Sequence, residues 1–213
     1  MQRYPWANVA LIGVTTIVSL IAIAMPDVFR DLACGPHSGP AGYVTYGFVH
    51  AGFVHLIGNM LFLFVFGNAV NAKIGHVQYL ALYLSLLAAS VSVQLRYLET
   101  PAWICGASGA IYGIMGMFIV LYPRNEISCA WFVFYRLSEH LGSFDISSIW
   151  IVLYWVTCDV VMLKLELAGN VGVHAHLAGF TFGAAIAIVA ILMRLIESDR
   201  YEENLLEVLG TSK

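Results

Sequence analysis

Charge is what this 213-residue chain has least of: 10 Lys+Arg and 13 Asp+Glu make up only 11% of it, for a formal charge of -3. Soluble domains carry about 25% charged residues, so a water-soluble globule is excluded. No basic run or basic face is present, which removes the electrostatic footprint of a nucleic-acid binder. The four cysteines, Cys34, Cys105, Cys129 and Cys158, form no CxxC pair, so neither a zinc ribbon nor a thiol redox motif is expected. Internal repeats and low-complexity stretches are absent. A cleavable signal pattern is also missing. The first apolar run is long enough to span a membrane and reads as an anchor.

What is abundant is hydrophobicity, at 60% of residues. A spanning helix needs about 20 mostly apolar residues, because ~30 Å of hydrocarbon is covered at 1.5 Å per residue. Six segments qualify: 7–25, 54–70, 77–95, 102–122, 148–167 and 173–195. The expected fold class is therefore an all-α membrane protein, a six-helix bundle over 1–196 followed by a short, charged, solvated tail over 197–213. The lipid bilayer is its surroundings, and its oligomeric state is open. A seventh apolar patch, 129–135, is too short to span, and Trp131, Phe132, Phe134 and Tyr135 suit the headgroup level. The long connection 26–53 is poor in charge and rich in Gly, Pro and aromatics. It is expected to pack, partly immersed, rather than wander. With the N-terminus inside, Arg3, Lys73, Arg124, Arg136, Arg194, Arg200 and Lys213 lie on the cytoplasmic side, against Arg30, Arg96 and Lys164 outside. Both termini are then expected in the cytoplasm. The lack of a transit peptide points to a bacterial inner membrane.

Polar side chains inside a bilayer are costly and become functional candidates. The second span carries His55 and Asn59, the fourth Ser108 and Tyr112, the sixth His174 and His176. With the N-terminus inside, these three spans run in the same direction, so all three groups fall at similar depth near the outer face. One shared layer implies one shared site. His55 and Asn59 are four apart and share a helix face, as do Ser108 and Tyr112. Gly109/Gly113 and Gly179/Gly183 are GxxxG pairs, which let helix backbones approach closely. A contact between the fourth and sixth spans would bring Ser108 to His176.

The chemistry follows from these types. A serine hydroxyl becomes a nucleophile when an imidazole takes its proton, and His176 suits that role. Attack on a carbonyl puts negative charge on oxygen, which fixed donors must meet; losing one costs about 10²–10³ in rate. His55, Asn59 and the Ser108 N–H at the positive end of its helix can supply them. Asp159 lies in the fifth span but is expected deeper than this layer, as a satisfied buried group, so a Ser–His dyad is expected.

Taken together, the motifs resemble the rhomboid intramembrane serine proteases. The matching pieces are His50-x4-His55-x3-Asn59, Gly106-Ala107-Ser108-Gly109-Ala110-x-Tyr112-Gly113 and Ala175-His176-Leu177-Ala178-Gly179, in the family's order. The six-span layout, long first loop and Tyr122-Pro123-Arg124 ending also fit. The resemblance implies a rhomboid-like bundle and a serine endopeptidase that cuts transmembrane substrates near the outer face, without cofactor or metal. It makes Ser108 the nucleophile, His176 the base, and His55, Asn59 and the Ser108 amide the oxyanion hole. Gly106 would let backbone pass close to the substrate, Tyr112 pack against the catalytic His, and His50 order the first loop. The family's Trp-Arg pair in that loop is replaced here by Ala41-Gly42. The stretch between the fifth span and His176, with Lys164 and Glu166, is long.

Other readings stand beside this one. A non-catalytic relative could bind transmembrane segments and escort them. A small transporter would place polar groups along a path rather than in one layer. His174-x-His176 with His50 and His55 could bind a metal, but residues two apart on a helix face apart. Tyr112 could be core packing, Met60, Met115 and Met117 are packing residues, and Asn68 and Asn71 are expected to cap the second span or face the interface. Cys34 and Cys105 are read as free. An imidazole base works only when neutral, so cleavage of a model transmembrane substrate should rise from acid to neutral pH; a flat profile would count against His176.

Overall fold

The computed structural model describes residues 4–35, 38–98, 102–135, 138–169, 171–197 and 202–210. In chain order they form α1 (Trp6–Ala24), α2 (Pro26–Leu32), α3 (Gly42–Thr45) running into a 3₁₀ turn (Tyr46–Phe48), and α4 (Phe53–Phe62). A π-helical stretch (Leu63–Gly67) then leads without a break into α5 (Asn68–Ile74), followed by α6 (His76–Arg96) and α7 (Ser108–Leu121). The strands β1 (Glu126–Tyr135) and β2 (Ser138–Ser147), then α8 (Ser148–Lys164), α9 (Val173–Leu192) and α10 (Leu205–Val208), complete the order.

The fold is mostly helical, and four of its rods are long and apolar enough to cross a membrane: α1, the continuous Phe53–Ile74 rod, α6 and α9. Two of the six expected spans are shorter. The 17 residues of α8 reach about 25 Å and the 14 of α7 about 21 Å. The fourth expected span starts late because 102–107 is not helical. Cys34 and Ile104 exchange two backbone hydrogen bonds there, of 2.9 and 2.7 Å, and Gly106 sits at φ +104°, outside any helical region. The patch 129–135 is corrected too. It lies in β1, paired antiparallel with β2 from Glu126↔Ser147 to Tyr135↔Ser138, so the fold is not purely α. Six of the ten residues in the run Glu-Ile-Ser-Cys-Ala-Trp-Phe-Val-Phe-Tyr are of the β-branched and aromatic types that favour strands.

Lipid gives no hydrophobic reason for helices to associate, so small residues and hydrogen bonds must hold them. The core rod α7 is buried except at Ser108 and Ile119. Its partner is α9, and the two main chains touch. A Cβ on Gly179 would collide with the Gly109 carbonyl oxygen, one on Gly183 with that of Gly113, and one on Gly116 with that of Phe180. Large side chains such as Ile17, Val54, Ile57 and Val77 instead face outward.

A second junction centres on fully buried Asn8 of α1. Its Nδ2 donates to the Leu63 carbonyl (2.9 Å) and Asn68 Oδ1 (2.8 Å), its Oδ1 accepts from Tyr79 (2.5 Å), and its N–H donates to Asn71 Oδ1 (3.1 Å). Asn68 and Asn71 thus tie α5 to α1 instead of capping the second span. Gly67 leaves room for this knot, since a Cβ there would lie 2.6 Å from both Asn8 Oδ1 and the Tyr79 hydroxyl.

The first loop is pinned by His50 and Tyr46 rather than by a Trp-Arg pair. The Ser19 hydroxyl donates to the Phe48 carbonyl (2.9 Å), so at 2.8 Å His50 Nδ1 must donate to Ser19 Oγ. His50 Nε2 then accepts the Ala107 N–H at 3.3 Å. This pattern requires a neutral ring. Burial, aided by the neighbouring His55, holds its pKa down to about 3 from the ordinary 6.5. The Tyr46 hydroxyl donates to the Leu87 carbonyl (2.9 Å).

The tail is docked where it is described, not solvated. Glu203 pairs with Arg124, Glu202 lies 3.5 Å from Lys73, and Leu205 and Leu206 pack on the core. Buried Asn204 caps α10 by accepting from Leu206 and Glu207 N–H, while its own N–H donates to Glu207. Arg3, Arg136, Arg200 and Lys213, used in the orientation argument, lie outside the described residues.

Substituting Val for Gly183 should lower stability by about 3 kcal/mol, because backbone cannot move aside for the new carbons. Ala for Gly13, where a Cβ meets nothing within 4 Å, should be neutral or raise stability by up to ~1 kcal/mol. Thermal unfolding in detergent micelles reads both. The same assay tests His50. The unfolded chain takes up a proton below the ordinary pKa of 6.5 that the folded state refuses until about 3. Stability should therefore fall through that window at roughly 1.4 kcal/mol per pH unit from this group, and His50→Gln should reduce the slope by one proton.

Candidate active site

The turn before α7 sets the site. Gly106 reverses the chain at its positive φ, Ala107 is the N-cap, and the first intrahelical bond is Ile111 N–H to the Ala107 carbonyl. The N–H groups of Ser108, Gly109 and Ala110 therefore have no acceptor within the helix and form its positive end. Ser108 is half-buried there.

The glycine seam brings α9 against this end. His176, in the first turn of α9, places Nε2 2.7 Å from Ser108 Oγ. Tyr112, one turn beyond Ser108, stacks on the imidazole with centroids 4.4 Å apart and planes at 8°. The predicted pairing of Ser108 with His176 and packing of Tyr112 on it are both present in this arrangement.

Asp159 is the correction. It was expected deeper than the site, yet its Oδ2 lies 2.9 Å from His176 Nδ1, with Asp159 4% and His176 9% exposed. The depth argument assumed a helix running to 167. With α8 ending at Lys164, Asp159 sits about 7.5 Å below its end, close to the ~4.5 Å of His176 below the start of α9. The signal that could have found it was already in hand: it is a lone carboxylate in an apolar span.

Gln94 was missed altogether. Its Oε1 accepts the Ala175 N–H at 3.1 Å, so α6 caps the first turn of α9 beside His176. His174 stacks on Tyr97, centroids 4.2 Å apart at 2°. The two histidines of the His-x-His pair thus serve different neighbours.

On α4, His55 abuts the Gly106 turn. A Cβ at Gly106 would lie 2.6 Å from His55 Cε1 and 2.8 Å from Nε2, which makes glycine obligatory on space as well as on φ. His55 meets His50 edge-on, centroids 4.9 Å apart. Asn59 is buried, and one Nδ2 proton goes to the His55 carbonyl at 2.8 Å, leaving one to offer. Cys34 and Cys105 are free thiols, and burial pushes both above the usual thiol range. Among the described residues, no group of three or more His, Cys, Asp and Glu is arranged to hold a metal.

Comparison with known proteins identifies the family. The model of the Rhomboid domain matches residues 38–193. The chain is also 32% identical over 112 residues to the Bacillus subtilis (strain 168) protein named "Putative rhomboid protease YdcA", covering 47% of this chain and 53% of that one. It thus spans about half the length of that curated relative. The family match takes in α4, α7 and α9 and every residue of the site just described, and on that basis the chain belongs to the rhomboid family.

Proposed function

We propose that the protein is an intramembrane serine endopeptidase acting on transmembrane segments. The observation that supports this most is the 2.7 Å approach of Ser108 Oγ to His176 Nε2, on two helices whose backbones touch.

In this reading Ser108 Oγ attacks the scissile carbonyl carbon as its proton passes to His176 Nε2. The C–O bond forms and the carbonyl electron pair moves onto oxygen. The Ser108 N–H, His55 and the remaining Asn59 N–H are the donors for that oxyanion. The imidazolium then gives its proton to the leaving nitrogen as the C–N bond breaks; water, giving a proton to the same imidazole, attacks the acyl carbon, and that proton passes to Ser108 Oγ as the ester C–O bond breaks and the acid leaves. Gly106 keeps the turn beside Ser108 free of side-chain bulk.

The reading also takes α7 and α8, at about 21 and 25 Å, as the fourth and fifth of six spans. It takes 1–196 as one catalytic domain with the tail beyond it, both termini as cytoplasmic, and the membrane as a bacterial inner membrane. The substrate would approach from the outer face, where Ser108 lies.

Replacing Ser108 or His176 by Ala should lower cleavage of a model transmembrane substrate by at least about 10³-fold while unfolding temperature is kept. A fluorophosphonate probe should label the wild type and not Ser108→Ala. Full cleavage by Ser108→Ala would remove the protease reading and leave a segment-binding relative as the better account.

A further inference from the structure

We infer that Asp159 is a positioning residue for His176, so that this protein works with a Ser108–His176–Asp159 triad across α7, α9 and α8; the inference rests on the protease reading above. For Nε2 to accept the Ser108 proton, Nδ1 must carry the other one. That Nδ1–H has an acceptor in Asp159 Oδ2 at 2.9 Å, which fixes both the tautomer and the ring's rotation.

The second reason is charge. Once the serine proton arrives, the ring is a cation in a nearly closed site, with Tyr112 over one face. An unpaired buried cation is costly, and an adjacent carboxylate removes most of that cost. Asp159 is itself almost wholly buried, and among the described residues no Lys or Arg pairs with it; His176 is its ion-pair partner. The Tyr112 hydroxyl also hydrogen-bonds Asp159, but among the described residues His176 is the partner of Asp159 that can become a cation, so the carboxylate is placed for that moment.

The titratable groups facing the pair are Ser108 and Tyr112 from α7 and His55 from α4. None of them carries a negative charge at neutral pH, so the carboxylate alone can compensate the imidazolium.

The test uses the full chain in proteoliposomes with a model transmembrane substrate. Asp159→Asn should keep the unfolding temperature and KM near wild type, lower kcat by at least about 10²-fold, and move the acid limb of the rate–pH curve to lower pH. A purely structural role would not move that limb. If the Asn variant does not fold, Asp159→Glu and Asp159→Gln differ in charge alone, and Glu should label at least about tenfold faster with the fluorophosphonate. An Asn variant within tenfold of wild type on an unmoved acid limb, or equal labelling of Glu and Gln, would overturn the triad. Loss of cleavage in Ser108→Ala beside either result leaves the protease reading standing, whereas retained cleavage there sinks that reading itself.

Discussion

Proton transfer between two side chains needs bonding distance, and here the side chains stand on separate rods in a medium that does nothing to press rods together. The structure meets this constraint with main chain against main chain. Where Gly179 and Gly183 lie on Gly109 and Gly113, no side chain separates α7 from α9, and the first turns of both helices are brought level. The 2.7 Å contact of Ser108 with His176 follows from that seam. A single methyl group in it would open the gap by more than a hydrogen bond can stretch.

The remaining elements act on the seam's open end. His50 holds Ala107 through its N–H and is held in turn by Ser19, so the first loop and α1 both fix the turn that presents Ser108. Gln94 of α6 holds Ala175, and through it the turn that presents His176. Both hands of the site are steadied by a side chain accepting a backbone N–H that the helix cannot satisfy itself. These are inexpensive anchors in lipid, because an orphan N–H there has no water to turn to.

Four of the six expected spans, the seam and the meeting of the polar residues were legible in the sequence because each rests on one-dimensional spacing: run length, small residues four apart, polar residues four apart. What was not legible depended on where rods end. Asp159 was misjudged by the three residues that separate Lys164 from 167. The start of α7 was set by a positive φ at Gly106, which apolar content does not reveal. The hairpin was hidden because its aromatic residues fit an interface as well as a strand. Asn68 and Asn71 were assigned to a helix end, when a π-helical stretch and the absence of a side chain at Gly67 turn them toward Asn8. The tail's docking through Leu205 and Leu206 was too short a pattern to outweigh its charges.

Asp159 has a consequence for how the protein is made. An acidic group in a membrane helix costs up to about 2.5–3.5 kcal/mol on insertion, the full figure applying at the helix centre; Asp159 lies five residues from the end of α8, and α8 leaves the ribosome before the imidazole that faces it. Until α9 follows, α8 carries an uncompensated carboxylate on a rod that is already short for the bilayer. α8 and α9 are therefore expected to settle as a couple during biogenesis, with α9 completing the insertion of α8.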